Sequence, residues 1–253
     1  MDIKELKPTS IWHYFDAITG VPRPSKKEER IREFLLNFAK EQNLEVKVDK
    51  TGNVVITKEA TPGCEGAPTV ILQAHMDMVC EKNGDVKHDF ERDPIETYID
   101  GEWVKARGTT LGADNGIGMA AAMAVLADKE LKHGRIQALF TVDEETGLTG
   151  AFELGEDMLT GKYLINLDSE DEGEIFIGCA GGIDTIATFR YTTEAAPKNY
   201  SFFRVDVSDL AGGHSGDDID KGRVNSNKTV ARLLWDGMQS YDCLLYTSPS
   251  PRD

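Results

Sequence analysis

The amino-acid sequence predicts an α/β protein in which helices flank a mainly parallel mixed sheet. Three short apolar runs, "TVILQA", "IQALFTV" and "YLINL", have the length and composition of buried strands. Between the first two lies "GTTLGADNGIGMAAAMAVLAD", in which a glycine-rich turn opens into a helix rich in alanine and methionine. A strand, a helix and a strand at these lengths are typical of βαβ units, so we expect the strands to pair in parallel.

The first 40 residues predict two helices that belong to the scaffold. Pro8 is suited to the first turn of a helix. After "VPRPS" breaks the chain, Ser25 and Glu28 have the spacing of a capping box. Apolar residues then recur at i, i+3, i+4 and i+7, as in a helix that packs on one face: Ile31, Phe34, Leu35 and Phe38.

The pattern of the chain changes after about residue 182. The segments "IDTIATFRYTTEAAP" and "YSFFRVDVSDL" alternate like antiparallel strands, and "AGGHSGDDIDKGRVN" has the composition of a loop. The segment "SNKTVARLLWDGMQSY" predicts a helix capped by Ser226. We therefore expect residues 1–182 to be the N-terminal part of the main domain and residues 183–242 to begin a smaller α+β domain.

The final segment, "CLLYTSPSPRD", fits nothing that precedes it. It resembles the translated read-through of a common sequencing adapter, so we expect residues 243–253 to be an artefact rather than part of the fold. A natural disordered tail is the alternative. If the segment is an artefact, the gene was cut inside the smaller domain.

Composition and charge restrict the classes of function. Of the 253 residues, 40% are hydrophobic and 28% are charged, as in an ordinary globular protein. Asp and Glu number 44 against 28 Lys and Arg, and the formal charge of -16 disfavours binding to nucleic acid or to anionic membranes. Metal ions and cationic partners match this charge better.

Neither a membrane span nor a secretory leader is predicted. No apolar run approaches the roughly 18 residues that a membrane helix needs, and the start "MDIKELKPTS" lacks an apolar core. We therefore expect a cytoplasmic protein. The four cysteines are scattered without a CxxC motif, so neither a disulfide framework nor a thiolate zinc site is expected.

Acidic side chains and one imidazole recur where the predicted strands end. If the strands lie side by side, these residues converge on one crevice at the carboxyl edge of the sheet: His75, Asp77, Asp114, Glu144, Glu145 and Asp168. Each motif alone has a simpler explanation, such as turn chemistry for Asp114. Their recurrence at three strand ends favours a shared site.

The predicted cluster has the chemistry of a divalent metal site. One imidazole with several carboxylates suits Zn²⁺, Mn²⁺ or Co²⁺, and so many carboxylates suit two neighbouring cations of the kind that hydrolyse amides and phosphate esters. Glu144 and Glu145 are adjacent and should point in different directions, so one can bind metal while the other acts as a base. Asp77 can accept the remaining N–H of His75 and fix its tautomer.

Other motifs are less specific. His214 lies in "GGHSGDD", where flexible glycines follow a predicted strand, and it could serve either a site or only a turn. The motif "GADNGIG" has neither the spacing of a dinucleotide fingerprint nor the lysine of a P-loop, which argues against phosphate binding. A non-catalytic metal-binding or dimerisation module is the alternative from another class of function.

Six motifs, in order along the chain, resemble those of the co-catalytic di-zinc peptidases and especially of the aminoacyl-histidine dipeptidases among them. They are "VPRPSKKEERI", "HMDMVCEKN", "GTTLGADNGIG", "DEETGLTGA", "NLDSEDEGEIFIGCAGG" and "GGHSGDDI", and the resemblance covers nearly all of residues 8–235. It implies a di-zinc aminopeptidase-like catalytic domain into which a lid or dimerisation domain is inserted.

The resemblance also implies the metal ligands. His75, Asp114 and Asp168 would bind one zinc ion, and Asp114 would bridge to a second ion that Glu145 also binds. In related enzymes the aspartate of the glycine-rich turn is followed by a cis peptide bond, which here would be Asp114-Asn115.

Catalytic roles follow from the same resemblance. Glu144 would be the general base and acid, and Asp77 would orient His75. His214 matches a lid-domain histidine that helps to polarise the substrate carbonyl, often across a dimer interface. The implied activity is hydrolysis of short peptides such as Xaa-His by a homodimer.

The chain departs from the family in its length. Members are considerably longer and supply a late histidine to the second zinc ion, so we expect the 253-residue chain to be weakly active or inactive. An N-acyl amino-acid deacylase, similar to an aminoacylase and using the same metals, is the alternative within the same fold.

Overall fold

The computed structural model describes residues 2–169, 171, 173–179, 181, 183, 185–193, 195, 198, 201, 203–213, 218 and 220–241. The chain divides into two units, Met1–Ala180 and Gly181–Asp253. The strands of the first unit are β1 (Glu45–Val48), β2 (Val54–Lys58), β3 (Val70–His75), β4 (Thr97–Asp100), β5 (Trp103–Ala106), β6 (Ile136–Thr141) and β7 (Tyr163–Asn166). Its helices are α1 (Thr9–Thr19), α2 (Glu29–Gln42), α3 (Ala113–Ala127) and α4 (Thr149–Phe152).

Five strands form a sheet in the order β1-β2-β6-β3-β7. β3 lies in the middle of a parallel trio, paired with β6 on one side and with β7 on the other. β2 runs antiparallel to both β1 and β6, and β4 pairs with β5 in a separate antiparallel ribbon. The predicted α/β class with a mixed sheet is therefore confirmed, with the parallel pairings at the predicted runs.

Helices α1, α2 and α3 pack against the same face of the sheet. Their buried side chains meet those of β2, β3 and β6 in one core: Phe15, Ile18, Ile31, Leu35, Met119, Met123, Val54, Ile56, Ala74, Ala138 and Phe140. The opposite face holds a smaller cluster of Val55, Ile71, Leu139 and Met158. Neighbouring residues of each strand contribute to opposite clusters, which is the two-residue period of a strand.

The two edges of the sheet carry different side chains. All four residues of β1 are exposed, and Glu45 and Lys47 are among them. In β7, Tyr163, Leu164 and Ile165 are about half exposed, at 51%, 52% and 49%. The β1 edge is therefore charged, whereas β7 itself contains no charged residue.

The predicted capping box at the start of α2 is wrong. The helix begins at Glu29, and the residue before it, Glu28, makes no side-chain cap hydrogen bond. The hydroxyl of Ser25 donates instead to Asp77 Oδ2 at 2.8 Å. A distant carboxylate thus takes the hydroxyl that the local spacing had assigned to the helix terminus.

The described part of the second unit contains one helix, α5 (Ser226–Tyr241). Asn225 caps it rather than Ser226, because the Asn225 side-chain oxygen accepts from the backbone N–H of Lys228 at 2.9 Å. The antiparallel strands predicted after residue 182 are absent from the described residues of this region. A strand needs a neighbour to complete its hydrogen bonds, and apolar side chains of this segment are not packed: Ile183, Ile186 and Phe189 are 93%, 90% and 83% exposed.

A helix with the length and apolarity needed to cross a bilayer is not found in the described part of the chain.

Replacement of Leu35 by alanine is expected to lower the free energy of unfolding by about 2–5 kcal/mol, because the side chain is fully buried and the surrounding core would close only partly. Leu131→Ala removes the same atoms from a side chain that is 40% exposed, and should lower it by less than about 1 kcal/mol. Urea unfolding of both variants beside the parent chain measures the two losses. Equal losses would contradict the place of Leu35 in the core.

Candidate metal centre

His75 is the last residue of β3, and its imidazole is almost fully buried, at 1% exposure. Its Nδ1 lies 3.1 Å from the carbonyl oxygen of Asp77 and 3.3 Å from Asp77 Oδ1. Both acceptors favour a proton on Nδ1, which leaves the lone pair of Nε2 for a metal. These are the contacts expected of an aspartate that orients a metal-binding histidine.

Carboxylates surround the other ring nitrogen. His75 Nε2 lies 2.9 Å from Asp114 Oδ1, 3.6 Å from Asp168 Oδ1 and 4.0 Å from Glu144 Oε2. Two sets of ligand atoms each lie within 4.8 Å of one another: His75 with Asp114 and Asp168, and His75 with Glu144 and Glu145. The structure therefore brings together the residues that the sequence places at three separate strand ends and in the glycine-rich turn.

The glycine-rich turn that begins α3 directs Asp114 at His75. Gly112 has a left-handed φ of +69°, and Asp114 and Asn115 have non-helical backbone angles inside the start of the helix. The Asp114-Asn115 peptide bond is cis, as the resemblance implies. Asn115 is 2% exposed, and its Nδ2 donates to Asp168 Oδ1 at 2.6 Å. Asn115 was not predicted as a site residue, because no local spacing indicates that its amide reaches Asp168.

Asp77 also fixes the loop that carries the two glutamates. Its Oδ1 accepts from the backbone N–H of Glu144 at 3.0 Å, and its Oδ2 accepts from that of Glu145 at 3.1 Å. The residue before them, Asp143, is buried with φ +50°, and its carboxylate accepts from two threonine hydroxyls in the same loop. The buried carboxylate of Asp77 thus holds both the His75 imidazole and the two glutamates in place.

A second group of acids, Glu28, Asp77 and Asp143, lies within 4.8 Å and is fully buried. Glu28 Oε1 accepts from the backbone N–H groups of Lys26 at 2.8 Å and of Asp143 at 3.0 Å. Burial raises the pKa of Glu28. These internal donors give the group a structural role, because they join the loop after β6 to the segment before α2.

The charges of the site are strongly interdependent in the metal-free protein. Burial lowers the pKa of His75, but hydrogen bonds with Asp114 and Asp77 and the nearby carboxylate charges raise it to about 10. Burial raises the pKa of Asp77, but its hydrogen bonds with His75, the Glu144 N–H and Ser25 lower it to about 2. Asp77 therefore stays ionised as an acceptor at neutral pH.

Two of the carboxylates hold protons unusually well. Burial, followed by the charge of Asp114, raises the pKa of Glu145 to about 7. Burial also raises the pKa of Asp168 to about 6; the charge of His75 opposes this, and those of Asp114 and Glu144 add to it. The crowded carboxylates carry more negative charge than the one imidazolium of His75 offsets, and a divalent cation would balance the remainder. One imidazole nitrogen with several carboxylate oxygens is also a suitable ligand set for zinc.

A cavity of about 320 Å³ adjoins the cluster, and Glu144 and Asp168 belong to its lining. Most of its walls are apolar side chains, namely Leu139, Val142, Leu148, Ala151, Leu154 and Leu164. An apolar cavity that meets a few titratable groups is the usual setting of a small-molecule site. The cluster therefore has space beside it for part of a substrate.

The remaining predicted site residue, His214, lies outside the described residues. The structure adds Arg23, whose guanidinium is buried against the backbone beside His75 and the glycine-rich turn. Nothing in the spacing or charge pattern of "VPRPS" distinguishes Arg23 from an ordinary surface cation.

This chain is similar to known proteins in both sequence and fold. Cytosol non-specific dipeptidase from Escherichia coli (strain K12) is 50% identical over 233 residues, which are 92% of this chain and 48% of that protein. The crystal structure of aminoacylhistidine dipeptidase from Vibrio alginolyticus matches with a TM-score of 0.70 and 47% identity over 96% of this chain and 49% of that one. The chain thus spans about half the length of these two relatives.

A more distant structure is also similar. Aminopeptidase PepT from Bacillus cereus ATCC 10987 matches with a TM-score of 0.54 and 29% identity, over 64% of this chain and 43% of that chain. The model of peptidase family M20/M25/M40 matches residues 71–216, a range that begins in β3 and includes all the carboxylates around His75. Since this range is more than half of the sequence, and the resemblance seen in the motifs is confirmed, the chain belongs to peptidase family M20/M25/M40.

Proposed function

We propose that the protein encoded by this sequence is a metal-dependent dipeptidase that hydrolyses the peptide bond of short peptides such as Xaa-His. The observation that carries this proposal is the convergence of His75 with four carboxylates while Asp77 holds its Nδ1. The similarity to dipeptidases of Escherichia coli and Vibrio alginolyticus supports the substrate class.

The distances around His75 support the first proposed metal site, and the family resemblance implies the second. His75, Asp114 and Asp168 would hold one divalent ion, since their ligand atoms lie within 4.8 Å of one another. Asp114 would bridge to a second ion held also by Glu145. Zinc is the ion we favour, and manganese and cobalt suit the same ligands. When bound, the ions would polarise the scissile carbonyl and lower the pKa of a water molecule.

Glu144 is the proposed general base and acid. Its carboxylate is 4.0 Å from His75 Nε2 and lines the cavity, so it reaches both the metal-binding groups and the space for a substrate. Its side chain is 32% exposed, which gives water access to it. It would take a proton from the attacking water and pass it to the leaving amine. Asp77 would keep His75 in the required tautomer throughout.

The proposal extends to the organisation of the protein. Residues 1–182 would be the N-terminal part of the catalytic domain, residues 183–242 the start of a lid or dimerisation domain, and residues 243–253 a product of adapter sequence. His214 would help to polarise the substrate carbonyl within a homodimer. The protein would act in the cytoplasm, as the name of the Escherichia coli relative indicates.

A longer protein that continues this sequence to the length of its relatives is expected to release histidine from Xaa-His dipeptides when zinc, manganese or cobalt is supplied. The 253-residue chain should be weakly active or inactive, because the resemblance implies a late histidine ligand and the chain spans 48% of the Escherichia coli relative. Chromatography of free histidine, with an N-acetyl amino acid as the comparison substrate, measures both activities. Failure of the longer protein would refute the first expectation, and full turnover by the shorter chain would refute the second.

In that longer protein, Glu144→Gln is expected to lower kcat by about 10²–10⁴-fold, because glutamine cannot shuttle the proton. The bound metal should remain, since Glu144 is not among the proposed ligands. Steady-state kinetics and metal analysis of the purified variant test both parts. Glu130→Gln, at an exposed position beyond α3, is the matched control and should keep full activity. Retention of activity in Glu144→Gln would exclude it as the base.

Removal of metal is expected to make stability depend on pH through Glu145. Its pKa is raised from the ordinary value of 4.5 to about 7, so the folded chain keeps a proton that the unfolded chain releases between these values. The contribution of Glu145 to the free energy of unfolding is therefore fully present at low pH and is lost as pH rises from about 4.5 to about 7. Glu145→Gln should be more stable than the parent at pH 8 in a metal chelator, and the difference should vanish near pH 4.5.

Urea unfolding of both proteins across this pH range provides the measurement, with Glu130→Gln, at an exposed position, as the matched control. A difference that is constant with pH would show that the carboxyl group does not titrate as described.

A further inference from the structure

Arg23 lies in the segment between α1 and α2 and is 2% exposed, which makes it a fully buried guanidinium. Its Nη1 donates to the carbonyl oxygens of Met76 at 3.0 Å and Asp77 at 2.8 Å. Its Nη2 donates to the carbonyl oxygen of Gly112. All three acceptors are backbone groups, so the side chain joins three segments of the chain that are distant in sequence.

The segments joined by Arg23 carry His75 and Asp114, whose Nε2 and Oδ1 atoms are 2.9 Å apart at the candidate metal centre. Met76 and Asp77 directly follow His75, and Gly112 precedes Asp114 by two residues. The carbonyl oxygen of Asp77 is shared, because it also lies 3.1 Å from Nδ1 of His75. One guanidinium therefore fixes the end of β3, the acceptor of the imidazole and the turn that carries Asp114.

The backbone approaches the guanidinium of Arg23 closely at two glycines. A Cβ atom added at Gly112 would lie 2.5 Å from Nη2, and one added at Gly116 would lie 2.8 Å from it. Both distances are too short for a side chain, so two glycines of the turn "LGADNGIG" leave space for the guanidinium. The planar fork of arginine can bond several fixed acceptors at once, which the single ammonium of lysine cannot reproduce.

Burial lowers the pKa of Arg23 to about 10, and the charges of Asp77, Cys80, Asp114 and Glu145 oppose this, so the side chain is a cation at neutral pH. A fixed cation close to a metal site repels the metal. If charge were the whole contribution of Arg23, its removal would strengthen metal binding, and if position were the contribution, its removal would weaken binding. The two effects have opposite signs and can be separated.

We propose that Arg23 is a positioning residue for the metal centre, whose guanidinium holds the end of β3 and the glycine-rich turn at the spacing at which His75 and Asp114 bind the same ion. The inference rests on the proposed metal site and adds to it a residue that does not touch the metal.

The test measures zinc affinity of the 253-residue chain by competition with a chromogenic chelator, for the parent, Arg23→Lys and Arg23→Met. Both variants are expected to bind zinc about 10- to 100-fold more weakly than the parent, the range typical of groups that support metal ligands. Arg23→Lys keeps the charge and Arg23→Met removes it, so similar losses in both indicate position. Unchanged affinity in Arg23→Lys with tighter binding in Arg23→Met would overturn the proposal.

Two further variants separate positioning from stability. Leu35→Ala removes buried contacts of α2, which carries none of the proposed ligands, and should lower the melting temperature while leaving zinc affinity within about twofold. Gly116→Ala keeps the arginine, but the added methyl would lie 2.8 Å from Nη2 and 3.1 Å from the Phe15 ring. We expect it to shift the guanidinium and to weaken zinc binding even if the Arg23 variants fold poorly. Affinity equal to that of the parent in Gly116→Ala and Arg23→Lys would overturn the proposal.

The visible absorption spectrum of bound cobalt, as a stand-in for zinc, gives a readout that stability alone does not alter. Displacement of His75 or Asp114 should change the band positions and intensities in the Arg23 variants but not in Leu35→Ala. A His75→Ala variant reports on the metal site itself. If the parent binds zinc no better than His75→Ala, both the metal centre and the role of Arg23 are refuted. If zinc binding is weakened only in His75→Ala, the role of Arg23 alone is refuted.

Discussion

The parallel pairing of β3 with both β6 and β7 is the constraint on which the candidate metal centre depends. In this register His75 lies opposite Thr141 of β6, and Gln73 lies opposite Asn166 of β7. The chain therefore leaves all three strands at one edge, where the glutamate loop and Asp168 emerge beside His75. A shift of one residue would turn every side chain of β3 to the other face. The buried alternation that sets the core thus also sets the ligands.

The site collects negative charge that the fold must hold together without metal. Asp77 holds most of these groups in place. It is fully buried, it accepts hydrogen bonds from Ser25 and from the backbone of Glu144 and Glu145, and His75 lies beside it. Hydrogen bonds to an ionised acceptor are stronger than neutral ones, which offsets the penalty of burying the charge. The imidazole and glutamate loop are consequently oriented before any cation arrives.

The local sequence pattern predicted the site residues that lie directly after strands. His75, Asp77 and the glutamates follow apolar runs whose composition identifies them as strands, and the structure brings them together. Arg23 and Asn115 were not predictable in this way, because each bonds a partner 53 residues away and no local spacing records such a contact. The same limit explains Ser25, whose spacing indicated a helix cap although a distant carboxylate accepts its hydroxyl, and the alternating segments after residue 182, which lack strand partners among the described residues.

The two edge strands of the sheet, β1 and β7, differ in how readily they could pair with a further strand. Charged side chains on an edge strand discourage further pairing, as Glu45 and Lys47 do on β1, whereas the half-exposed Tyr163, Leu164 and Ile165 of β7 do not. Of the two edge strands, β7 is therefore the one whose side chains leave it open to pairing, and Asp168 follows it by two residues. The uncharged edge of the sheet and one of the proposed metal ligands are therefore neighbours in the chain.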